Sequence, residues 1–131
     1  MDTNVLRNCL LLAMSNKMTF PETVRKMFEI GVERYDADLT RMEKRYYAED
    51  GKTHADTIPL SAAPAIGREF SDEAVKGAIE AIRRRDIDYP EFLRKIMAAG
   101  TVSYTVYLDG RRAIYFGRGG EFHIEPFPSA D

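Results

Sequence analysis

The sequence predicts an α+β domain built from two copies of a helix–helix–strand–strand–strand unit, with antiparallel strands and the helices on one side. Three observations lead there. The chain resembles itself at a fixed spacing, the residues that start and stop helices recur at that spacing, and a period-two alternation follows each helix pair. Laid over itself at an offset of 69 without a gap, residues 1–62 match residues 70–131 at eleven positions, among them Pro21/Pro90, Glu22/Glu91, Arg25/Arg94, Gly31/Gly100, Tyr35/Tyr104, Tyr46/Tyr115 and His54/His123. Chance matching over this length would give roughly four. The matched Pro, Gly and Glu also stand where helix ends require them.

The first element is a helix in which Val5, Leu6, Cys9, Leu10 and Ala13 recur at helical spacing. Thr19-Phe20-Pro21-Glu22 then reads as a capping box: Thr19 accepts from the N–H three residues on, Glu22 reaches back to the cap's own N–H, and proline in the first turn forfeits no bond. It opens a short helix, Pro21–Ile30, with Val24, Met27 and Phe28 on its apolar face and Gly31 as its stop. Three strands follow: one carrying Tyr35, Ala37 and Leu39 on a single face, then Arg45–Ala48, then Thr53–Ile58 after a turn at Asp50-Gly51. A linker at about 58–68, with Pro59, Pro64 and Gly67, leads into the second copy.

There Ser71 caps a helix bearing Ala74, Val75, Ala78, Ile79 and Ile82, with Asp72 and Glu73 at its start and Arg83–Arg85 at its end, as the helix dipole favours. Asp88-Tyr89-Pro90-Glu91 is the second capping box, opening Pro90–Ala99 with Leu93, Ile96 and Met97 on the apolar face and Gly100 as the stop. Val102, Tyr104, Val106 and Leu108 alternate with Thr101, Ser103, Thr105 and Tyr107; Asp109-Gly110 signals a hairpin, Ala113–Phe116 returns, and Gly117–Gly120 turns the chain into Phe122–Glu125. A 62-residue half has a poor ratio of buried to exposed surface. The two repeats, 1–62 and 70–131, are therefore expected to share one core about a pseudo-twofold axis, as a single domain spanning 1–131. Whether the two meanders join in one sheet or pack as two is open at this level.

Composition narrows the function classes. With 131 residues, 44% hydrophobic and 31% charged, the chain has apolar material for a core and does not read as disordered or fibrous. Net charge is −2, balanced as 9 basic against 10 acidic residues in 1–65 and 10 against 11 in 66–131, so no basic arm suggests a polyanionic partner. A lone cysteine, Cys9, fits a reducing compartment, and the apolar run Cys9–Met14 is far short of a membrane span. A soluble, cytoplasmic protein is expected, with no membrane span.

The stretch Asp88–Gly100, running on through Val102–Leu108 to Ile114–Gly117 and Gly120–His123, resembles an uncharacterised bacterial and prophage-borne family sometimes labelled phage-envelope-like. The resemblance covers nearly the whole chain and is most distinctive in the second half. It implies a small α+β fold and carries no established activity, cofactor or catalytic residue.

The residues that could carry chemistry come in matched pairs. His54 and His123, the only histidines, stand near the start of the third strand of each unit, with Lys52 and Asp56, or Glu121 and Glu125, on the same strand face. A flanking carboxylate suits an imidazole to acid–base work, and the two histidines meeting across the dyad with Glu121 or Glu125 would have the donors for a metal. The commoner arrangement puts such residues on the wet face of an antiparallel sheet. Tyr35/Tyr104 and Tyr46/Tyr115 either line a cleft at the dyad or pack their rings in the core. Arg25 and Arg94 either bind an anion symmetrically or belong to solvated helix faces. Arg83–Arg85 and Arg111-Arg112 are basic runs, but the pI of about 5.7 and the absence of a recognition motif argue against nucleic acid. No metal site is assigned and no cofactor is expected. The leading expectation is a non-enzymatic binding or protein-interaction module that meets a protein partner, or itself, through the sheet or a strand edge. The alternative is a small ligand-binding protein or enzyme whose site lies at the pseudo-dyad and uses the paired His and Tyr residues.

Overall fold

A computed structural model describes residues 1–128. Along the chain run α1 (Thr3–Met14), α2 (Phe20–Glu29), β1 (Val32–Asp38), β2 (Glu43–Ala48), β3 (Thr53–Thr57), α3 (Asp72–Arg83), α4 (Tyr89–Ala98), β4 (Thr101–Tyr107), β5 (Arg112–Gly117) and β6 (Phe122–Pro126). Each element of the second half begins and ends 69 residues after its counterpart in the first. Left-handed backbone recurs at the same spacing, at Asn16 and Arg85 and at Met42 and Arg111.

The two meanders form one antiparallel sheet in the order β3-β2-β1-β4-β5-β6, joined where β1 pairs with β4. At the middle of that junction Asp36 faces Thr105, and the Thr105 hydroxyl donates to Asp36 at 2.7 Å. Adding 69 to Asp36 gives Thr105, so exchanging the halves maps this register onto itself. The helices cover one sheet face, and a single apolar cluster draws from both halves, with Leu6, Met27 and Tyr46 beside Val75, Leu93 and Ile96. Ile58, placed in the linker by sequence, is buried in that cluster. The rest of the linker is pinned to the second half, with Gly67 N–H donating to the Met97 carbonyl and Ser71 N–H to that of Ala99.

Four local expectations are corrected. The capping box closes only at Thr19 and Glu22; at the second site Asp88 accepts from Glu91 N–H, but the Glu91 carboxylate turns to Arg94 at 3.3 Å. Phe28 does not join the apolar face of α2, which buries Thr23 and Met27 and leaves Phe28 62% exposed. In the β4–β5 hairpin the left-handed residue is Arg111 rather than Gly110, because the turn spans four residues between the strands. The alternation in β6 faces opposite to the wet-face expectation: His123 and Glu125 turn toward the helices and Phe122 and Ile124 toward solvent. An edge strand buries whichever set finds partners, and here Asp72 and Arg83 of α3 supply them.

Gly31 and Gly100 both end helices in the left-handed region, with φ of +84° and +98°. A Cβ at Gly31 meets open space, whereas one at Gly100 would lie 2.2 Å from the Glu69 carbonyl oxygen. Gly31→Ala is therefore expected to cost the conformational penalty alone, about 1–2 kcal/mol. Gly100→Ala should cost more than that because the Glu69–Phe70 segment must move. Urea unfolding of the two variants checks the order.

Candidate functional site

A cavity of about 470 Å³ lies between the sheet and the helices, within the usual range of small-molecule sites. The sheet contributes Tyr35, Lys44, Tyr104, Ala113 and Tyr115, and the junctions of α1 with α2 and of α3 with α4 close it from above. Both halves supply walls at equivalent positions, including Tyr35 and Tyr104, Phe20 and Tyr89, and Lys44 and Ala113. Two of the equivalent pairs are unlike in size. β5 carries Ala113 where β2 carries Lys44, and α1 carries Ala13 where α3 carries Ile82. Small residues at two facing positions leave a void in what is otherwise a continuous core.

Lys44 points inward from β2 together with Tyr46 and Ala48, so a charged residue occupies an apolar face. It is 3% exposed, and its Nζ lies 4.9 Å from the Tyr35 ring centre and 4.8 Å from that of Tyr89. Ring faces attract an ammonium. No described residue accepts a hydrogen bond from Nζ or pairs with it as an ion. Burial lowers its pKa from 10.5 to about 8, opposed by the nearby Cys9 and Asp56. Asp56, opposite Lys44 in the β2–β3 register, lies beyond ion-pair distance from Nζ; its Oδ1 accepts from His54 Nε2 at 3.0 Å and lies 3.7 Å from Arg7 Nε, and its Oδ2 is buried without a partner among the described residues. Lysine is almost never buried this fully without a partner.

The surrounding hydroxyls are proton donors. Burial pushes Tyr35, Tyr89 and Tyr104 well above the ordinary tyrosine value, which keeps them protonated at neutral pH. Tyr89 and Tyr104 hydrogen-bond to each other. The first half has Phe20 where the second has Tyr89, so the Tyr35 hydroxyl lacks the corresponding partner. The acids near the cavity are occupied: Glu125 holds Arg83 at 2.9 Å and His123 at 2.8 Å, and Asp88 accepts from Glu91 N–H.

Of the residues expected at a dyad site, the cavity brings together tyrosines and neither histidine. Tyr35, Tyr104 and Tyr115 line the cavity. Tyr46 is buried beside it, its hydroxyl without a partner among the described residues. His54 and His123 lie on the two edge strands, five strand spacings or about 24 Å apart, and do not meet. Each holds the carboxylate two residues on, and His123 Nδ1 also reaches Asp72 at 2.7 Å, fastening β6 to α3. Glu121 accepts from Gly119 N–H in the turn before β6. Arg94 is occupied by the Ser61 carbonyl, while Arg25 is exposed on α2; neither lines the cavity. Among the described residues no cluster of three or more His, Cys, Asp or Glu could hold a metal, and no helix is long and apolar enough to cross a membrane. No protein-family model and no curated protein matches the chain.

Lys44 and Tyr89 were not singled out from sequence. The signal for Lys44 was present: a lysine at an inward position of the Lys44–Tyr46–Ala48 alternation, standing over Ala113 in the repeat.

Between pH 8 and 10.5 the unfolded chain binds a proton at Lys44 that the folded chain does not, so Lys44 makes stability rise with pH across that window. The buried tyrosines act in the opposite sense above their ordinary value of 10, where only the unfolded chain ionises. Relative to Lys44→Met, the natural protein should gain on the order of 1–2 kcal/mol between pH 8 and about 9.5. Urea unfolding of both proteins across that range measures the difference.

Proposed function

We propose that the protein binds a small, largely apolar molecule in the cavity between its helices and sheet. The observation that carries this reading is the cavity itself: an aromatic-lined space into which the buried Lys44 amine and the Tyr35 hydroxyl turn without partners among the described residues. The site stands where the two halves meet and uses Tyr35 and Tyr104 from equivalent strands. The constant 69-residue spacing of every element supports descent of the halves from one copied ancestral unit, with the cavity opened by later divergence at Lys44/Ala113 and Ala13/Ile82. Ala113→Leu tests the reading by filling the void. Anilinonaphthalene sulfonate should bind the natural protein at one site and the variant at least about tenfold more weakly, with cooperative unfolding retained. Equal binding by the two proteins would overturn it.

A separate observation favours a protein contact on the opposite face. There Ile114 and Phe116 of β5 pair with Ile124 and Phe122 of β6, forming an apolar block on the open side of the sheet, with Phe122 60% and Ile124 41% exposed. We propose self-association through this block. Sedimentation should show a concentration-dependent dimer that Phe122→Asp abolishes, and a monomer at every concentration would contradict it.

A further inference from the structure

Within the cavity, the Lys44 amine is the buried polar group whose surroundings most clearly call for a charge. It sits between the faces of Tyr35 and Tyr89, while the Asp56 carboxylate opposite it in register stays outside ion-pair distance and shares its Oδ1 between His54 and Arg7. A neutral occupant would leave the ammonium without a contact ion pair, whereas an anion placed against it would supply one in a medium where a charge-assisted bond is strong. The wall around it favours a small head on an apolar body: Ile79, Ile82, Ile87, Phe92 and Val106 offer hydrocarbon surface, the Arg83 guanidinium is held by Glu125 and the Pro126 carbonyl, and Arg85, the other cation of the lining, is exposed to solvent where Lys44 is buried.

We infer that the ligand is an apolar monocarboxylate whose carboxylate accepts from Lys44 Nζ, with the Tyr35 hydroxyl as a second donor and the aliphatic or aromatic body lying toward Ala113. This rests on the ligand-binding reading above and adds the chemical class. The hydrogen bond that Tyr89 makes with Tyr104 leaves Tyr35 and Tyr115 as the lining tyrosines whose hydroxyls have no partner among the described residues, and Tyr35 is the one beside the Lys44 amine.

Matched acids and alcohols test the class on the natural protein: octanoate against octanol, and phenylbutyrate against phenylbutanol, each titrated by calorimetry. At least one acid should bind about tenfold or more tightly than its alcohol, the scale of a hydrogen bond to a charged group. Lys44→Met should reduce that preference to within about threefold, and Lys44→Arg, which keeps the charge, should retain part of it. If acid and alcohol bind the natural protein equally, the anion assignment fails while the cavity reading stands. If none of the four binds, both fail. A preference for the acid that survives in Lys44→Met would place the carboxylate elsewhere and overturn the role given to Lys44.

Discussion

An ammonium group that has left water needs a counter-ion or a compensating field, and among the described residues Lys44 has two ring faces and, beyond ion-pair distance, the Asp56 carboxylate opposite it in register. Its amine lies between two tyrosine rings, nearly solvent-free, at the edge of a void that close packing would otherwise have closed. Much else about the site follows from this placement. The lysine's pKa falls to about 8 because burial disfavours its charge, and the tyrosines around it hold their protons for the same reason. A protein selected for stability alone would gain from an apolar residue here. The proposed ligand site takes the amine and the space beside it together.

The fold supplies the rigidity such a site requires. Tyr35 and Tyr104 stand on adjacent central strands, bound in register through the β1–β4 pairing, and Lys44 and Tyr115 on the strands flanking them. Four of the lining side chains are thus set by one hydrogen-bonded sheet, and the helix junctions above bring Phe20 and Tyr89 from the two halves. A site on regular strands holds its geometry better than one on loops. The outer strands serve a different purpose: His123 ties β6 to α3 through Asp72, while His54, at the opposite edge of the sheet, bonds Asp56 within β3.

The architecture was largely legible in the residues, because helix caps, stop glycines and strand alternation are local signals. Thr19-Phe20-Pro21-Glu22, Ser71 and the alternating run from Val102 to Leu108 each act on their own neighbourhood, and the structure keeps them. The site was only half legible. The tyrosine pairs were visible as matched positions, but the choice between core and cleft depends on which helix residues face them. That is set by side-chain size at Ala13 and Ala113, tens of residues away in sequence. The histidines misled for a related reason. Alternation fixes which residues share a face but not which face is covered, and Asp72 and Arg83 on α3 decided it in favour of His123 and Glu125. Lys44 was overlooked because a lysine between polar neighbours reads as solvent-facing until its register against Tyr46 is known.

The most direct measurement is a nuclear magnetic resonance titration of the lysine side chains, with Lys44 assigned through Lys44→Met. Of the six lysines, Lys44 should show ε-methylene protons shifted upfield by the Tyr35 and Tyr89 rings and should titrate near pH 8. Six lysines titrating together near the ordinary value, with no ring-shifted signal, would contradict an enclosed amine and with it the account of the cavity.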